Sequence, residues 1–287
     1  MKRVDRIGII IFSVMLNLSF TLVALLNHRS IGDLRSQEVA DKVLPTMVQI
    51  GVSMSGDSSV KTIASGVLVS NRGYVLTVKH AVDDVAHVYI KTHHGDMFRA
   101  SYFIADAHRD LAIVKFVPIL EEISIDVTKG QVASKSFVAL NSIKINHKEI
   151  APGQEIMAFG FPAHDSLGGG AATVSRGVVS GVNRTVFEPM ASGIEERKIS
   201  RDLAIERAIE IGATLMGIGR PRTPSMLQVD VMVNPGSSGG AIVNMEGELI
   251  GICNSMITST GANIGINLAI PVSEASDILR VIGIWED

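Results

Sequence analysis

The 287-residue chain is 46% hydrophobic and 19% charged, with a formal net charge of −3. That length suits one large domain or two small ones around a sizeable core, and the near-neutral balance gives no reason to expect nucleic acid as a partner. A single cysteine, Cys253, excludes an intrachain disulfide, and its apolar run Ile250-Gly251-Ile252-Cys253 makes it a packing residue rather than a reactive one.

Ile7 to Leu26 contains no charged residue and has the length of about twenty residues that a helix needs to cross a bilayer. Lys2, Arg3 and Arg6 precede it, which favours a cytoplasmic N-terminus and an exported remainder. A cleaved signal peptide would have a shorter apolar core and a small-x-small site. Val23-Ala24-Leu25-Leu26-Asn27 offers no such site, so the segment reads as an uncleaved, single-pass signal anchor in the inner membrane. The rest of the chain would then lie in the periplasm or another extracytoplasmic space. Residues 27–37 form a polar linker, and Glu38 to Leu44 reads as a short helix stopped by Pro45.

Thr46 to Val52 and Thr62 to Val69 read as strands, and Tyr74 to Val82 follows a turn at Ser70-Asn71-Arg72-Gly73. His80 closes that third strand, where a general base would be held rigidly. His93 and His94 with Asp96 raise a metal reading, but sequence neighbours seldom chelate one metal without ligands from elsewhere, so no metal is expected. Asp110 opens the apolar strand Leu111 to Phe116 and could orient the His80 ring. Asp106 is the rival, but its surroundings, Ala105 to Arg109, read as a solvated loop, with His108 and Arg109 on the surface.

In the second half, Gln154 to Pro162 and Thr173 to Val182 read as strands, the latter with a kink or bulge at Gly177. Gly168-Gly169-Gly170 lacks the Gly-Lys-Ser/Thr of a phosphate loop and reads as a hairpin tip. Residues 183–226 form a long insertion with a helix-like stretch from Glu195 to Ile211. It is either a solvated helix laid on the domain or an enlarged regulatory loop. Val229, Val231 and Val233 alternate into the tight turn Asn234-Pro235-Gly236-Ser237-Ser238-Gly239-Gly240. A serine on such a turn can attack a carbonyl, and the N–H groups of Gly236 and Ser238 can hold the oxyanion that develops. The pattern also fits a nucleophile elbow, which needs its acid and histidine after the serine. The last histidine here is His164, so that reading fails. The order is His80, Asp110, Ser238, and the strand-and-turn texture disfavours a subtilisin-like alternation of strands and helices. Ser273 to Ile282 reads as a C-terminal helix with Ile278, Leu279 and Ile282 facing inward.

These motifs together resemble the HtrA/Deg family of exported serine proteases from about Glu38 to Ser273. Ser65-Gly66-Val67-Leu68-Val69 and Leu76-Thr77-Val78-Lys79-His80 are similar to its histidine region, Asp110-Leu111-Ala112-Ile113-Val114 to its aspartate motif, and Asn234 to Gly240 to its serine motif. The resemblance implies an all-β, chymotrypsin-like fold of two six-stranded antiparallel β-barrels with the active site between them. They would occupy residues 38–148 and 149–287, after the N-terminal transmembrane helix. It also implies a His80-Asp110-Ser238 triad, an oxyanion turn at Gly236, Ser237 and Ser238, and no cofactor. By motif alignment Met232 lies at the base of the primary specificity pocket, and Asn254, Ser255 and Met256 form the edge that pairs with extended substrate. The implied substrate is unfolded or locally extended exported protein.

Ser237 stands where the family usually has asparagine, and the sequence leaves no room after Asp287 for the PDZ domain that many members append. The family's homotrimer is also implied, although Thr21 to Gly73 lacks the aromatic residues such contacts often use. Two other readings compete: a catalytically silent chaperone or adaptor of the same fold that captures extended peptides, and a sensor protease with one dedicated substrate.

Overall fold

Runs of valine, isoleucine and leucine between turns become strands throughout the computed structural model. It describes residues 34–53, 59–83, 85–106, 108–120, 136–162, 172–185, 225–231, 233–256 and 265–285, without the side chains of 120, 136, 137, 255 and 256. The Ile7–Leu26 span, Gly168 to Gly170, Met232 and residues 186–224 of the insertion lie outside the described residues. Among the described residues no helix is long and apolar enough to cross a membrane. The chain divides into two units, Met1–Asp41 and Lys42–Asp287. In the first, residues 34–41 are helical.

The second unit holds both barrels. β1 (Met47–Ser53), β2 (Lys61–Ser70), β3 (Tyr74–Val78), β4 (His87–Lys91), β5 (Met97–Asp106) and β6 (Leu111–Phe116) close in the order β1-β2-β3-β6-β5-β4. β1 is antiparallel to both β2 and β4, and closure leaves no exposed sheet edge. β4 shows the period of two that makes this work: Val88 and Ile90 are buried while His87, Tyr89 and Lys91 are only half-buried.

A short pair, β7 (Ile119–Leu120) and β8 (Ser136–Phe137), follows the first barrel. The second barrel comprises β10 (Glu155–Gly160), β11 (Thr173–Arg184), β12 (Met226–Val229), β13 (Ala241–Asn244), β14 (Glu248–Met256) and β15 (Asn267–Pro271). Pairing of β13 with β14 closes it, and β9 (Lys144–Ile145) is appended in parallel to β14. The two closed, six-stranded antiparallel barrels and the short C-terminal helix are those expected. Ile156, Val179, Val229, Ile242 and Ile250 fill the second core together with Cys253. Burial pushes the Cys253 thiol up to about 12, which leaves it an inert packing group.

Two expectations are corrected. Gly177 is in regular register opposite Ile156, and the irregularity of β11 falls around Gly181 instead. Gly177 is needed for space, since a Cβ there would meet Asp230 Oδ1 at 2.1 Å. That carboxylate accepts from the N–H of Val178 at 2.6 Å.

The second correction concerns Asp106 and Arg109, which are 2% and 6% exposed rather than solvated. Asp106 Oδ1 accepts from the N–H groups of His108 and Arg109, folding the β5–β6 turn upon itself. The Arg109 guanidinium reaches Asp106 Oδ2 at 2.6 Å, Glu274 Oε2 at 3.3 Å and Asp277 Oδ2 at 3.0 Å. Burial pushes its pKa down, but Asp106 and then Asp277 outweigh that and hold it above the ordinary value. Glu274 belongs to the 3-10 turn Val272–Ala275 and Asp277 to the helix Ser276–Val281, whose Ile278 and Leu279 are buried as expected. The network therefore ties the first barrel to the C-terminus. Its tight pairing required partners 165 or more positions away in sequence, which no local pattern announces.

Removing Arg109 would leave buried carboxylates unpaired. Arg109→Met is expected to cost about 3–5 kcal/mol in urea unfolding. Lys144→Ala, which breaks an exposed pair with Glu248 at 2.5 Å, should cost less, about 1 kcal/mol at most. Similar losses from the two substitutions would refute the ranking.

Candidate active site

The site begins at the turn between β5 and β6. Asp110 has φ +52°, in the left-handed region that aspartate tolerates better than most residues. That conformation lets its carbonyl and its carboxylate face the same way. The carbonyl accepts from the N–H of Lys79 at 3.1 Å, and Oδ1 accepts from the N–H of His80 at 2.9 Å. Both donors belong to the 3-10 turn Lys79–Ala81 that follows β3, so Asp110 caps the element carrying the histidine. Strain of this kind costs about 1–3 kcal/mol and persists only where the surroundings over-determine it.

Asp110 Oδ2 lies 2.6 Å from His80 Nδ1 and accepts from Asn254 Nδ2 at 2.7 Å. Burial pushes the Asp110 carboxyl up. The hydrogen bond and charge of His80, with the His80 N–H and the Asn254 amide, more than offset this and hold it below the ordinary carboxylate value. An ionised carboxylate can only accept, so His80 Nδ1 carries the proton.

Across the cleft, Asn234-Pro235-Gly236-Ser237 forms a turn closed by the N–H of Ser237 donating to Asn234 O at 2.8 Å. Gly236, at φ +92°, supplies the left-handed position that a type II turn requires after proline. Ser238 Oγ donates to the main-chain carbonyl of Asn254 at 3.1 Å. The predicted residues thus form one hydrogen-bonded run from Ser238 through Asn254 to Asp110 and His80. Among the described residues, no protein group accepts from the N–H of Gly236 or of Ser238.

Ser65, at the middle of β2, holds this turn against the first barrel. Its N–H donates to Ser238 O at 2.9 Å, its hydroxyl donates to Gly236 O at 2.7 Å, and the same oxygen accepts from the N–H of Phe161 at 2.9 Å. The Gly236–Ser237 peptide is therefore fixed at both ends, by Ser65 and by Asn234. Gly239 completes the fit. At φ +83° its missing Cβ leaves room for Ser65 O and Thr77 Oγ1, which a side chain would meet at 2.1 and 2.2 Å. Sequence reading quoted Ser65 within a motif but gave its hydroxyl no role. The available signal was a hydroxyl inside a strand whose neighbours from Ala64 to Val69 are all buried.

Asn254 lies on β14, with Ser255 and Met256 after it. These three continue past Ile252, where the register with β13 ends, while Ser255 and Met256 pair with Leu268 and Asn267 of β15. Asn254 was expected only as part of a substrate edge, and its amide on Asp110 was not foreseen. Asn267 was also missed; it is buried and donates to Val231 O at 2.8 Å, fixing the approach to the serine turn. Among the described residues no cluster of three or more His, Cys, Asp or Glu side chains could hold a metal.

The family pattern described as trypsin-like peptidase domain matches residues 64–252. The serine endoprotease DegS of Haemophilus influenzae is 27% identical over 280 residues, 96% of this chain and 67% of its own length. A probable periplasmic serine endoprotease, DegP-like, from Buchnera aphidicola is 26% identical over 227 residues, 78% of this chain and 37% of its length. The chain thus spans between about a third and two thirds of these relatives. Among solved structures, the HtrA-type protease AlgW with tripeptide superposes with a TM-score of 0.57 at 22% identity, covering 85% of this chain and 62% of AlgW. The serine endoprotease of Yersinia pestis gives 0.55 at 24% identity, covering 86% and 65%.

Two outcomes follow from the site's geometry. Ser65→Ala orphans the Phe161 N–H and the Gly236 carbonyl, and should lower unfolding free energy by about 1–3 kcal/mol. A loss within error would mean that the turn does not lean on this hydroxyl. Asp110 has its folded pKa depressed, so its ionised form stabilises the fold above the unfolded value of about 3.9, and that contribution is lost as pH falls through the folded value. The gap in urea midpoint between the chain and Asp110→Asn should therefore hold steady above about pH 5 and narrow as pH falls below about 4. A gap independent of pH would contradict the assignment.

Proposed function

We infer the chemistry of the site from the premise that this chain belongs to the trypsin-like peptidase family and is a serine endopeptidase. Ser238 is the nucleophile, His80 the general base and acid, and Asp110 the group that holds the His80 tautomer. The observation that carries this reading is the run Ser238–Asn254–Asp110–His80 beside a turn with two uncommitted N–H groups.

The reaction proceeds in two halves. As Ser238 Oγ attacks the scissile carbonyl carbon, His80 Nε2 takes the hydroxyl proton and the carbonyl π pair moves to oxygen. The N–H groups of Gly236 and Ser238 receive that oxyanion. Collapse breaks the C–N bond, and His80 gives its proton to the departing amine. Water, deprotonated by His80, then hydrolyses the acyl-enzyme and restores Ser238.

The hydroxyl has one proton, and in the resting arrangement Asn254 O receives it. An extended peptide laid along residues 254–256 would bring its own N–H to that carbonyl, displace the hydroxyl and free it to turn toward His80. Strand addition of this kind selects locally unfolded polypeptide, because a folded chain offers no free strand. Motif alignment assigns Met232 to the base of the primary pocket, and a methionine there would supply no charge for Arg or Lys, so a small or medium aliphatic residue should precede the cleaved bond. The uncharged span Ile7–Leu26, preceded by Lys2, Arg3 and Arg6, supports an inner-membrane anchor with the barrels in the periplasm. Clearance of damaged envelope proteins or stress signalling would suit that location.

The test compares the full chain with Ser238→Ala, using a fluorophosphonate probe and unfolded casein. The parent should label and cleave. The variant should not label, and its cleavage should fall by roughly 10⁴-fold or more. A folded parent that neither labels nor cleaves would sink the catalytic reading in favour of a peptide-binding protein.

A further inference from the structure

In the first barrel the pairing of β4 with β5 covers only three residue pairs and ends at Tyr89 and Arg99. β4 stays paired with β1 as far as His87, and β5 stays paired with β6 from Ala100 to Asp106. The two strands therefore fork beyond Arg99. A cavity of about 200 Å³ lies in the fork, lined by residues 85–88 on one side and 99–103 on the other. Past that point the strand edges border the cavity instead of each other, which leaves room for a further strand to pair. None of the lining residues belongs to the site described above.

Three cations stand at or beside the fork. Arg99 lines it, and its Nη2 lies 2.7 Å from His87 Nδ1, a contact that supplies no countercharge. Lys115 is opposite both Tyr74 and Tyr102 in register, so these side chains share the outer face of the sheet. The Arg72 guanidinium and Lys115 Nζ lie 5.3 and 5.1 Å from the centre of the Tyr74 ring, and the Tyr74 and Tyr102 hydroxyls are 3.4 Å apart. Lys115 Nζ donates to the carbonyls of Arg72 and Phe116, and Arg72 Nη2 to that of Ile282, none of which brings a full negative charge. Among the described residues none of these three cations has a carboxylate partner, whereas Lys79, Lys144 and Arg176 each have one. Of the acids beside the lining in sequence, Asp83 is matched with Lys79, and Asp84 is one charge against three. A small anion would answer the charge and leave the strand edges unused, and an apolar chain would do the reverse.

We propose that the fork is a docking site for an acidic polypeptide segment in extended conformation. Its backbone adds to a strand edge at the fork, and its carboxylates, about 7 Å apart along one face, reach Arg99 and the neighbouring Lys115 and Arg72. Tyr102, 39% exposed, supplies apolar contact between them. The site does not depend on the proteolytic reading.

The full chain carrying Ser238→Ala, chosen so that no probe is consumed, is titrated in detergent micelles against dye-labelled octapeptides, and anisotropy is read. One probe alternates Glu with Val, a second alternates Gln with Val, and a third is the Glu-Val peptide with every backbone amide N-methylated. Saturable binding of the Glu-Val peptide is expected, half-complete at on the order of 10–100 µM, with the Gln-Val peptide at least about tenfold weaker. The N-methylated peptide keeps its carboxylates but has no main-chain donor, and should also bind about tenfold more weakly. Arg99→Gln, on the exposed outer face, should weaken the Glu-Val peptide about fivefold. Lys144→Gln, which removes an exposed cation on β9, should leave it unchanged. Absence of saturation, equal binding of the Glu-Val and Gln-Val peptides, or binding indifferent to Arg99→Gln overturns the proposal. Equal binding of the N-methylated peptide overturns it too, since only a contact with any polyanion would remain.

Discussion

Ser65 is the contact on which the site depends. It belongs to the first barrel, yet its N–H, its hydroxyl hydrogen and its hydroxyl oxygen engage Ser238, Gly236 and Phe161, all in the second. A buried hydroxyl must be satisfied wherever it is placed, and here satisfaction and positioning are the same thing. The peptide between Gly236 and Ser237 cannot turn over without orphaning both the Ser65 hydroxyl and the N–H of Ser237. Orientation of the two remaining N–H groups, those of Gly236 and Ser238, follows from that restraint. The reactive turn is thereby preorganised by a neighbouring strand rather than by its own sequence alone.

A second restraint acts on His80, the proposed base. Asp110 caps the turn bearing His80 and also contacts its ring, so the acid fixes both backbone and side chain of its partner. The adjacent residue, Arg109, is anchored to the C-terminal elements through Glu274 and Asp277. One short turn between β5 and β6 therefore carries the left-handed aspartate, its capping contacts and the ionic tie to the other end of the chain. Removing charge from any of these affects packing as well as electrostatics, because the groups are buried and share partners.

Asn254 joins the two halves. Its amide holds Asp110 while its carbonyl takes the Ser238 hydroxyl proton. In the proposed reading this secures the acid and parks the nucleophile, so one residue would support the base and restrain the attack. An incoming strand competes for only one of these two contacts. Under the proposed function, that asymmetry would couple occupancy of the cleft to release of the Ser238 hydroxyl without a large movement of the barrels.

Much of this was legible in the residues. The alternation along Val229, Val231 and Val233, the Pro-Gly turn before Ser238 and the aspartate heading an apolar strand are local signals, because strand period, turn chemistry and the left-handed tolerance of Gly and Asp act over a few residues. They sufficed for the all-β class and brought His80, Asp110 and Ser238 forward as candidates. Asp106 and Arg109 looked solvated since polar residues in a turn usually are, and Gly177 looked like a bulge since glycine within a strand often is. In each case a partner distant in sequence decided otherwise: Glu274 and Asp277 for Arg109, and Asp230 for Gly177. Sequence by itself determined which residues could do chemistry and in what order they occur. Only the tertiary structure decided which polar groups are buried and on whom they depend, because desolvation makes pairing obligatory and closure of the barrels chooses the partner.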